Sequence, residues 1–207
     1  MGRISLAQTR RNQIIQAFYR CVASLGLAKT SMRAIAKEAG VQPSALHHYF
    51  KDRDEMIEEM VEFYTDRFFH VFLEEMARYD DVKERLDKAA EFLFSTSMIN
   101  EEATSFFYDC CAEAKNNPRV RQSLAKLFRR FRKTILEYFS DLAIQSGLTP
   151  QETQDIATLI IAVHEGIELQ WHMSPEDVSL ERSLLLAKRI IKTFLLGQGR
   201  EGLRRAV

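Results

Sequence analysis

The side chains with the clearest chemical meaning lie in residues 31–50, with the sequence SMRAIAKEAGVQPSALHHYF. The amide of Gln42 can pair with adenine, the Ala45 methyl can contact a thymine methyl, and Arg33 can pair with guanine. A helix that begins near Pro43 also directs backbone N–H groups at a phosphate. These are residue types that read DNA, provided that a short helix presents them outward.

The same segment has the signals of two short helices joined by a tight turn. Thr30 or Ser31 can cap the first helix, and Gly40 stands where the turn needs a positive φ. Pro43 fits the first turn of the second helix, where its missing N–H has no intrahelical partner. The spacings also occur in ordinary helical hairpins, but a DNA-binding helix-turn-helix is favoured.

Charge is distributed unevenly along the 207 residues, although the chain as a whole has 29 basic and 29 acidic residues. Residues 1–50 contain seven basic residues and one acid, whereas the remainder contains 22 basic and 28 acidic residues. A basic end suits contact with phosphates, and an acidic body suggests a different task for the rest of the chain.

Composition further limits the class of protein that the chain can be. A hydrophobic content of 46% allows a proper core, and no run of about 18 uncharged apolar residues is present. The first residues lack the apolar centre of a signal peptide, so a cytoplasmic protein with no membrane association is expected. The three cysteines, Cys21, Cys110 and Cys111, are interpreted as reduced and mostly buried. No metal-ligand spacing and no cofactor motif are found.

Helical periodicity is nearly continuous, and strand signals are almost absent. We predict an all-α fold of about nine helices, with a helix-turn-helix DNA-binding domain of three helices over 1–50. A long helix joins it to a ligand-binding and dimerisation bundle over 51–207. After the first helix, which ends at Gly26, and the helix-turn-helix pair, the predicted helices are Lys51–Tyr79, Val82–Ser97, Glu101–Asn116, Pro118–Gln145, Thr149–Met173 and Leu180–Leu196.

With these residues laid out, the first 60 or so resemble the DNA-binding domain of the tetracycline-repressor (TetR) family. The rest is similar, less sharply, to the effector-binding domain of the BetI subgroup. The N-terminal match consists of Gly26, Thr30-Ser31-Met32-Arg33, Ile35-Ala36, Ala39-Gly40-Val41, Leu46, Tyr49-Phe50, Arg53 and Met56. The C-terminal match consists of Ala112-Glu113-Ala114, Asn117-Pro118-Arg119 and residues 165–171, EGIELQW.

The resemblance implies a homodimer whose recognition helices read the two halves of a palindromic operator. It also implies repression that ends when a small molecule binds the body. Carried over by position, Arg33 reaches a base or a phosphate. The residues expected at base edges are Gln42, Pro43, Ser44, Ala45 and His48, and those expected at phosphates are Thr30, Ser31, His47, Lys51 and Arg53.

Two positions depart from the usual family pattern. The family has Gly where this chain has Ser44, and Tyr where it has His47. These departures affect close backbone approach and the aromatic contact with phosphate. His47 and His48 also fit a plain surface role, although DNA proximity is favoured because Leu46, Tyr49 and Phe50 form the natural inward set.

Phenylalanines are concentrated in the body, where eleven of the fourteen lie between Phe63 and Phe139. Any one of them is more often core than pocket, but as a group they favour an apolar or aromatic effector. Gly166 is costly inside a helix, which suggests that a helix or an effector approaches closely. The candidate pocket residues are Phe63, Phe94, Phe107, Phe131, Gly166 and Trp171.

The last two helices have wide apolar stripes that two copies of the chain can pair as a four-helix interface. Burial within one chain is the alternative. The eight basic residues between Lys115 and Lys133, a stretch with no acid, are interpreted as a solvated helix face, with an anion or effector site as the alternative. The candidate interface residues are Ile156, Ile160, Val163 and Ile167 on one helix and Leu184, Ala187, Ile191 and Phe194 on the other.

An enzyme is not expected, because His164-Glu165 has no Ser or Cys nucleophile placed beside it by local spacing. The competing function is a DNA-binding protein of the same fold that responds to no effector. Such a protein would act through a protein partner or by occluding DNA. The effector, the operator sequence, the regulated genes and the choice between repression and activation are not encoded in any motif found.

Overall fold

A computed structural model describes residues 6–96, 99, 101–145 and 147–195 of the chain. Within these residues the fold is all-α, with nine α-helices and no strand, which confirms the predicted fold class. The helices are α1 Leu6–Leu25, α2 Met32–Glu38, α3 Pro43–Tyr49, α4 Arg53–Met76, α5 Val82–Leu93, α6 Glu101–Ala114, α7 Pro118–Gln145, α8 Pro150–Met173 and α9 Leu180–Leu195.

Capping residues explain several of the helix boundaries. Gly26 has a φ of 77° and follows the last residue of α1, as predicted. Thr149 caps α8 in a reciprocal capping box with Glu152, so α8 begins one residue after the predicted start. Asp81 accepts a hydrogen bond from the Glu84 backbone N–H and caps α5. The predicted ends of α4 and α6 were two to three residues too long, since α4 ends at Met76 and α6 at Ala114.

The chain forms two compact units, and α4 and α7 each contribute residues to both. Unit 1 comprises residues 1–68 and 101–127, and unit 2 comprises residues 69–100 and 128–207. This division follows packing. The predicted functional division after residue 50 stays a prediction.

The core of unit 1 is built on the inward face of α1. Ile14 and Phe18 are completely buried there and pack with Ile35 and Leu46 of the following helices. Burying each such side chain contributes about 1.5–3 kcal/mol. Through this packing, α1 lies against α2 and α3 and fixes the orientation of the pair.

Unit 2 has a separate core, made by the ends of α4 and α7 with α5, α8 and α9. Phe72, Phe139, Ile160 and Leu184 are among its buried residues. A small apolar cavity in this core, lined by Phe94 among others, has a volume of only about 10 Å³. That volume suits a single water molecule at most.

Candidate nucleic-acid interface

The turn between α2 and α3 has the geometry that the sequence predicted. Ser31 is the N-cap of α2, and its hydroxyl accepts a hydrogen bond from the Ala34 backbone N–H at 3.2 Å. Gly40 adopts a φ of 64°, which glycine tolerates without strain. The Val41 N–H then donates to the Ala36 carbonyl at 2.9 Å and closes the turn.

The second helix of the pair, α3, buries one face and exposes the other. Leu46 and Phe50 are 0% and 1% exposed, and Tyr49 is half-buried, so the predicted inward set is confirmed. Pro43 occupies the first turn, and Gln42 is the N-cap without a side-chain capping bond. The outward residues are Gln42, Pro43, Ser44, His47 and His48, which are exposed, and Ala45, which is half-buried.

The residues predicted at phosphates, together with Arg33, which was predicted at a base or a phosphate, divide into two groups. Ser31, Arg33, His47 and Lys51 are exposed, and their side chains stand at the surface of unit 1. Lys51 also donates its backbone N–H to the Glu55 carboxylate at 2.6 Å, which fixes the start of α4.

Thr30 and Arg53 form the second group, because both are bound to the chain itself. Thr30 is 3% exposed, and its hydroxyl donates to the Gly26 carbonyl at 2.8 Å. Arg53 donates to the Leu27 carbonyl at 2.6 Å and lies 3.7 Å from the Glu113 carboxylate. Their side chains hold the short 3-10 turn before α2, and their contact with DNA stays a prediction.

Arg11 is a positioning residue that sequence reasoning did not single out. Its guanidinium donates to the Tyr49 carbonyl at the end of α3 and to the carboxylates of Glu55 and Glu59. It also lies 4.5 Å above the Phe50 ring, within cation–π distance. These partners are about forty residues away along the chain, so no local spacing could reveal them.

Hydrogen bonds lower the pKa of two carboxyls at the start of α4. The pKa of Glu55 falls mainly because it accepts the Lys51 backbone N–H, and then because of Arg11. The pKa of Asp52 falls mainly because it accepts the Glu55 backbone N–H, with a further contribution from Arg119. Both carboxylates therefore stay charged and hold the junction between α3 and α4.

A second cluster, which we call the Arg119 corner, joins the start of α7 to the start of α4 within unit 1. Arg119 donates to the carboxylates of Asp52 and Glu58, each at 2.8 Å. Asn117 donates to Asp54 at 2.9 Å. Arg119 was predicted to lie on a solvated helix face, and for this residue that interpretation was wrong, because its guanidinium is bound by two carboxylates.

The six candidate pocket residues fall in both units. Phe63 and Phe107 pack against the core of unit 1. Phe94, Phe131, Gly166 and Trp171 belong to unit 2, where Phe131 contacts the ring of Phe69. A β-carbon built on Gly166 meets no atom within 4 Å, so no neighbour among the described residues explains this glycine.

Ionisable side chains on α8 form a partly buried cluster in unit 2. His164 Nδ1 lies 3.7 Å from a Glu168 carboxylate oxygen, and its ring centroid lies 6.1 Å from that of Phe94. Burial lowers the pKa of His164, against the influence of Glu168 and of a hydrogen bond with the Leu93 backbone. Burial, with the nearby Glu168, raises the pKa of Glu165 to about 7. This cluster can accept a positive charge.

Several predicted interface residues are covered by the chain itself. Ile160, Leu184, Ala187 and Ile191 are less than 10% exposed in the core of unit 2. Ile156, Val163 and Ile167 are half-buried, and the side chain of Phe194 lies outside the described residues. Among the described side chains, the large apolar residues exposed on these helices are Leu159, Leu169 and Met173 on α8 and Leu185, Leu186 and Ile190 on α9.

Membrane-spanning helices and metal sites are both absent from the described residues. No helix there is long and apolar enough to cross a membrane. No group of three His, Cys, Asp or Glu side chains in the same part of the chain is placed to hold a metal ion.

Comparisons with known proteins agree with this architecture. Residues 14–60 match the family described as bacterial regulatory proteins, tetR family, and residues 82–196 match the family described as BetI-type transcriptional repressor, C-terminal. The HTH-type transcriptional regulator BetI of Rhizobium meliloti is 21% identical over 96% of both chains. Its namesake from Yersinia pestis is 24% identical over 94% of this chain and 97% of the relative.

Solved structures show the same fold. A putative transcriptional regulator from Pseudomonas aeruginosa PAO1 has a TM-score of 0.80 at 17% identity, with 94% of each chain covered. A putative transcriptional regulator from Saccharomonospora viridis, in complex with choline, has a TM-score of 0.75 at 20% identity. The comparison covers 89% of this chain and 96% of that one.

The two family matches and the curated relatives identify the class of this protein, which is a transcriptional regulator of TetR/BetI type with a helix-turn-helix DNA-binding domain. The chain belongs to the tetR family of bacterial regulatory proteins and has a BetI-type C-terminal domain.

Proposed function

We propose that the chain is a homodimeric repressor that binds a palindromic operator and leaves it when a small effector binds unit 2. The observation that carries the proposal is the outward face of α3, where Gln42, Ser44, His47 and His48 are all exposed. A helix in the major groove reads bases with its N-terminal residues, and two of these four lie at or beside its first turn.

The DNA contacts divide into base readers and phosphate contacts. Gln42, Ser44 and His48 face the bases, with the Ala45 methyl beside them. Ser31, Arg33, His47 and Lys51 contact phosphates, which fix the register of the protein on the duplex but carry no sequence information. Thr30 and Arg53 support these contacts by holding the turn before α2.

The two copies pair through the exposed apolar faces of α8 and α9. Leu159 on α8 and Leu186 and Ile190 on α9 are each more than half exposed in the single chain. Exposed apolar side chains grouped on two helices are typical of an interface, and an isologous pair of such helices makes a four-helix bundle. The buried residues of the predicted interface then support this face from beneath.

The effector is a small, largely apolar or aromatic molecule that carries a positive charge. The carboxylates of Glu165 and Glu168, in the partly buried cluster with His164, supply the negative charge, and Phe94, whose ring lies 6.1 Å from that of His164, supplies an aromatic face. Trp171 on the same helix is a further candidate for the aromatic wall. Aromatic rings and carboxylates together suit a quaternary ammonium group. Choline in the Saccharomonospora viridis regulator supports this class of ligand.

Thermal unfolding in the presence of choline tests the effector proposal. A ligand that binds the folded state raises its melting temperature. We expect stabilisation by choline, little by a neutral isostere with carbon in place of nitrogen, and a smaller shift for choline with Glu165→Gln. Choline must also release a bound operator duplex. Equal shifts in melting temperature for choline and the neutral isostere would show that the positive charge of the ligand is not recognised.

The alternative is a DNA-binding protein of the same fold that responds to no effector and acts through a protein partner or by occluding DNA. The small volume of the cavity in unit 2 is compatible with this alternative. A panel of metabolites and drugs distinguishes the two functions, because the alternative predicts no shift in melting temperature with any compound while operator binding persists.

A further inference from the structure

A groove in unit 2 opens between α7 and α8 and is lined mostly by polar and basic side chains. Its volume is about 390 Å³, within the roughly 300–1,000 Å³ of small-molecule sites. It is separate in its lining from the cavity beside Phe94 and from the cluster of His164, Glu165 and Glu168. The lining residues are Arg129, Arg132, Lys133, Leu136, Gln154, Asp155 and Thr158.

The basic residues of the groove share one face of α7. Arg129, Arg132, Lys133 and Leu136 are spaced by three or four residues, so they stand above one another along the helix. Three like charges on adjacent turns repel one another. An anion bound between them would relieve that repulsion.

Among the described residues, an ion pair is formed by only one of the three basic side chains that line the groove. Lys133 lies 3.6 Å from Glu137, and Asp155 accepts a hydrogen bond from Gln151 at 3.0 Å. Within the described ranges, neither Arg129 nor Arg132 has a carboxylate within 4.0 Å of its guanidinium. The lining therefore carries an excess of positive charge even after Asp155 is counted.

We infer that this groove binds a phosphate-bearing small molecule. Two guanidinium groups can each present a planar pair of donors to phosphate oxygens, a geometry that a lysine alone does not supply. Thr158 and Gln154 offer a hydroxyl and an amide on the opposite wall, and Leu136 offers an apolar surface for the organic part. The inference is independent of the proposed cationic effector, because it uses other side chains and the opposite charge.

Calorimetric titration of the full-length protein with inorganic pyrophosphate, at constant ionic strength, tests the site. The variants are Arg129→Gln and Arg132→Gln. Arg121→Gln is the matched control, because Arg121 is exposed on the same helix and does not line the groove. Melting temperature and helical content of each variant show that the fold is retained.

We expect the parent and Arg121→Gln to bind pyrophosphate alike and each groove variant to bind about tenfold or more weakly, as for a lost charged hydrogen bond. Equal affinity in all four proteins would overturn the site, because binding would then lie elsewhere, for example at the basic N-terminal segment. Absence of binding by the parent would also overturn it. Loss of non-specific duplex binding in the groove variants, without pyrophosphate binding, would reassign the face to DNA.

Discussion

At the scale of single residues, the outward side chains of α3 and its surroundings differ in what their loss would change. Base readers discriminate among sequences, whereas phosphate contacts strengthen binding to all of them. Gln42 and Lys51 are both exposed, and they precede and follow α3 along the chain. Because their proposed roles differ, substitutions at these two positions provide a direct comparison.

Gln42→Ala should relax the sequence preference of the protein at one position of each half-site. We expect a cost of about 1–3 kcal/mol on the preferred operator, and almost none on an operator already altered at that position. Lys51→Ala is the comparison. It should weaken binding to all duplexes alike, and it should reduce the slope of log affinity against log salt concentration by about one. Binding isotherms on both operators at several salt concentrations measure both effects. An equal loss on every duplex for Gln42→Ala would exclude a base contact.

Glu165 provides a prediction for how the stability of the protein depends on pH. Its pKa in the folded state is raised to about 7, so the folded protein holds a proton there that the unfolded chain releases near its ordinary value. Its contribution to the free energy of unfolding is therefore most favourable below the unfolded pKa and declines as pH rises to about 7. The decline is at most about 3 kcal/mol.

Glu165→Gln should remove that decline, since an amide does not titrate. We expect urea unfolding at pH values below 5 and above 7 to show a smaller loss of stability in the variant than in the parent. The comparison of the two proteins cancels the titration of other groups. The same dependence on pH in both proteins would show that Glu165 titrates normally.

At the scale of elements, the Arg119 corner fastens the start of α7 to the start of α4. Arg119→Met should destabilise the protein measurably, because it removes charged hydrogen bonds, although their partial exposure limits the loss. The lowered pKa of Asp52 means that its contribution is present at neutral pH and is lost as pH falls through the folded-state pKa. Urea unfolding at neutral pH measures the change, with Arg121→Met as an exposed control that should change little. Similar values for the two variants would show that the corner contributes no stability.

A substitution at Gly166 tests whether α8 packs closely against a partner chain. Alanine is favoured over glycine within a helix by about 1 kcal/mol, and no atom of the described chain lies in its way. Gly166→Ala should therefore preserve the fold of the single chain but weaken dimerisation if a partner helix packs closely there. Sedimentation over a range of concentrations tests this, with Gln151→Ala in the exposed first turn of α8 as the control. A dimer unchanged by both substitutions would place the partner elsewhere.

The helices and the inward faces of α1, α2 and α3 could be predicted because their causes are local. Apolar spacing fixes which side of a helix is buried, and Gly40, Pro43 and the Ser31 cap fix the turn. The roles of Arg11 and Arg119 could not be predicted in this way. Their partners lie about forty to seventy residues away, and only the folded chain brings them together.

At the scale of the whole molecule, the faces of α8 and α9 show where sequence reasoning needs the tertiary structure. An apolar stripe on a helix can be buried within one chain or between two chains, and periodicity does not distinguish these cases. The widest stripes of α8 and α9 contain Ile160 and Leu184, which the chain covers itself. Leu159 and Ile190 are exposed in the single chain. They belong to the surface that we propose contacts the partner copy.

The central claim is that the chain reads a specific palindromic sequence as a dimer. Selection of bound sequences from a random duplex pool, followed by a salt titration on the selected sequence, tests it most directly. We predict an inverted repeat with half-sites about one helical turn or a multiple of it apart, two chains for each site at least, and affinity that falls steeply with salt. Enrichment of no sequence, or of a single half-site bound by one chain, would contradict the account.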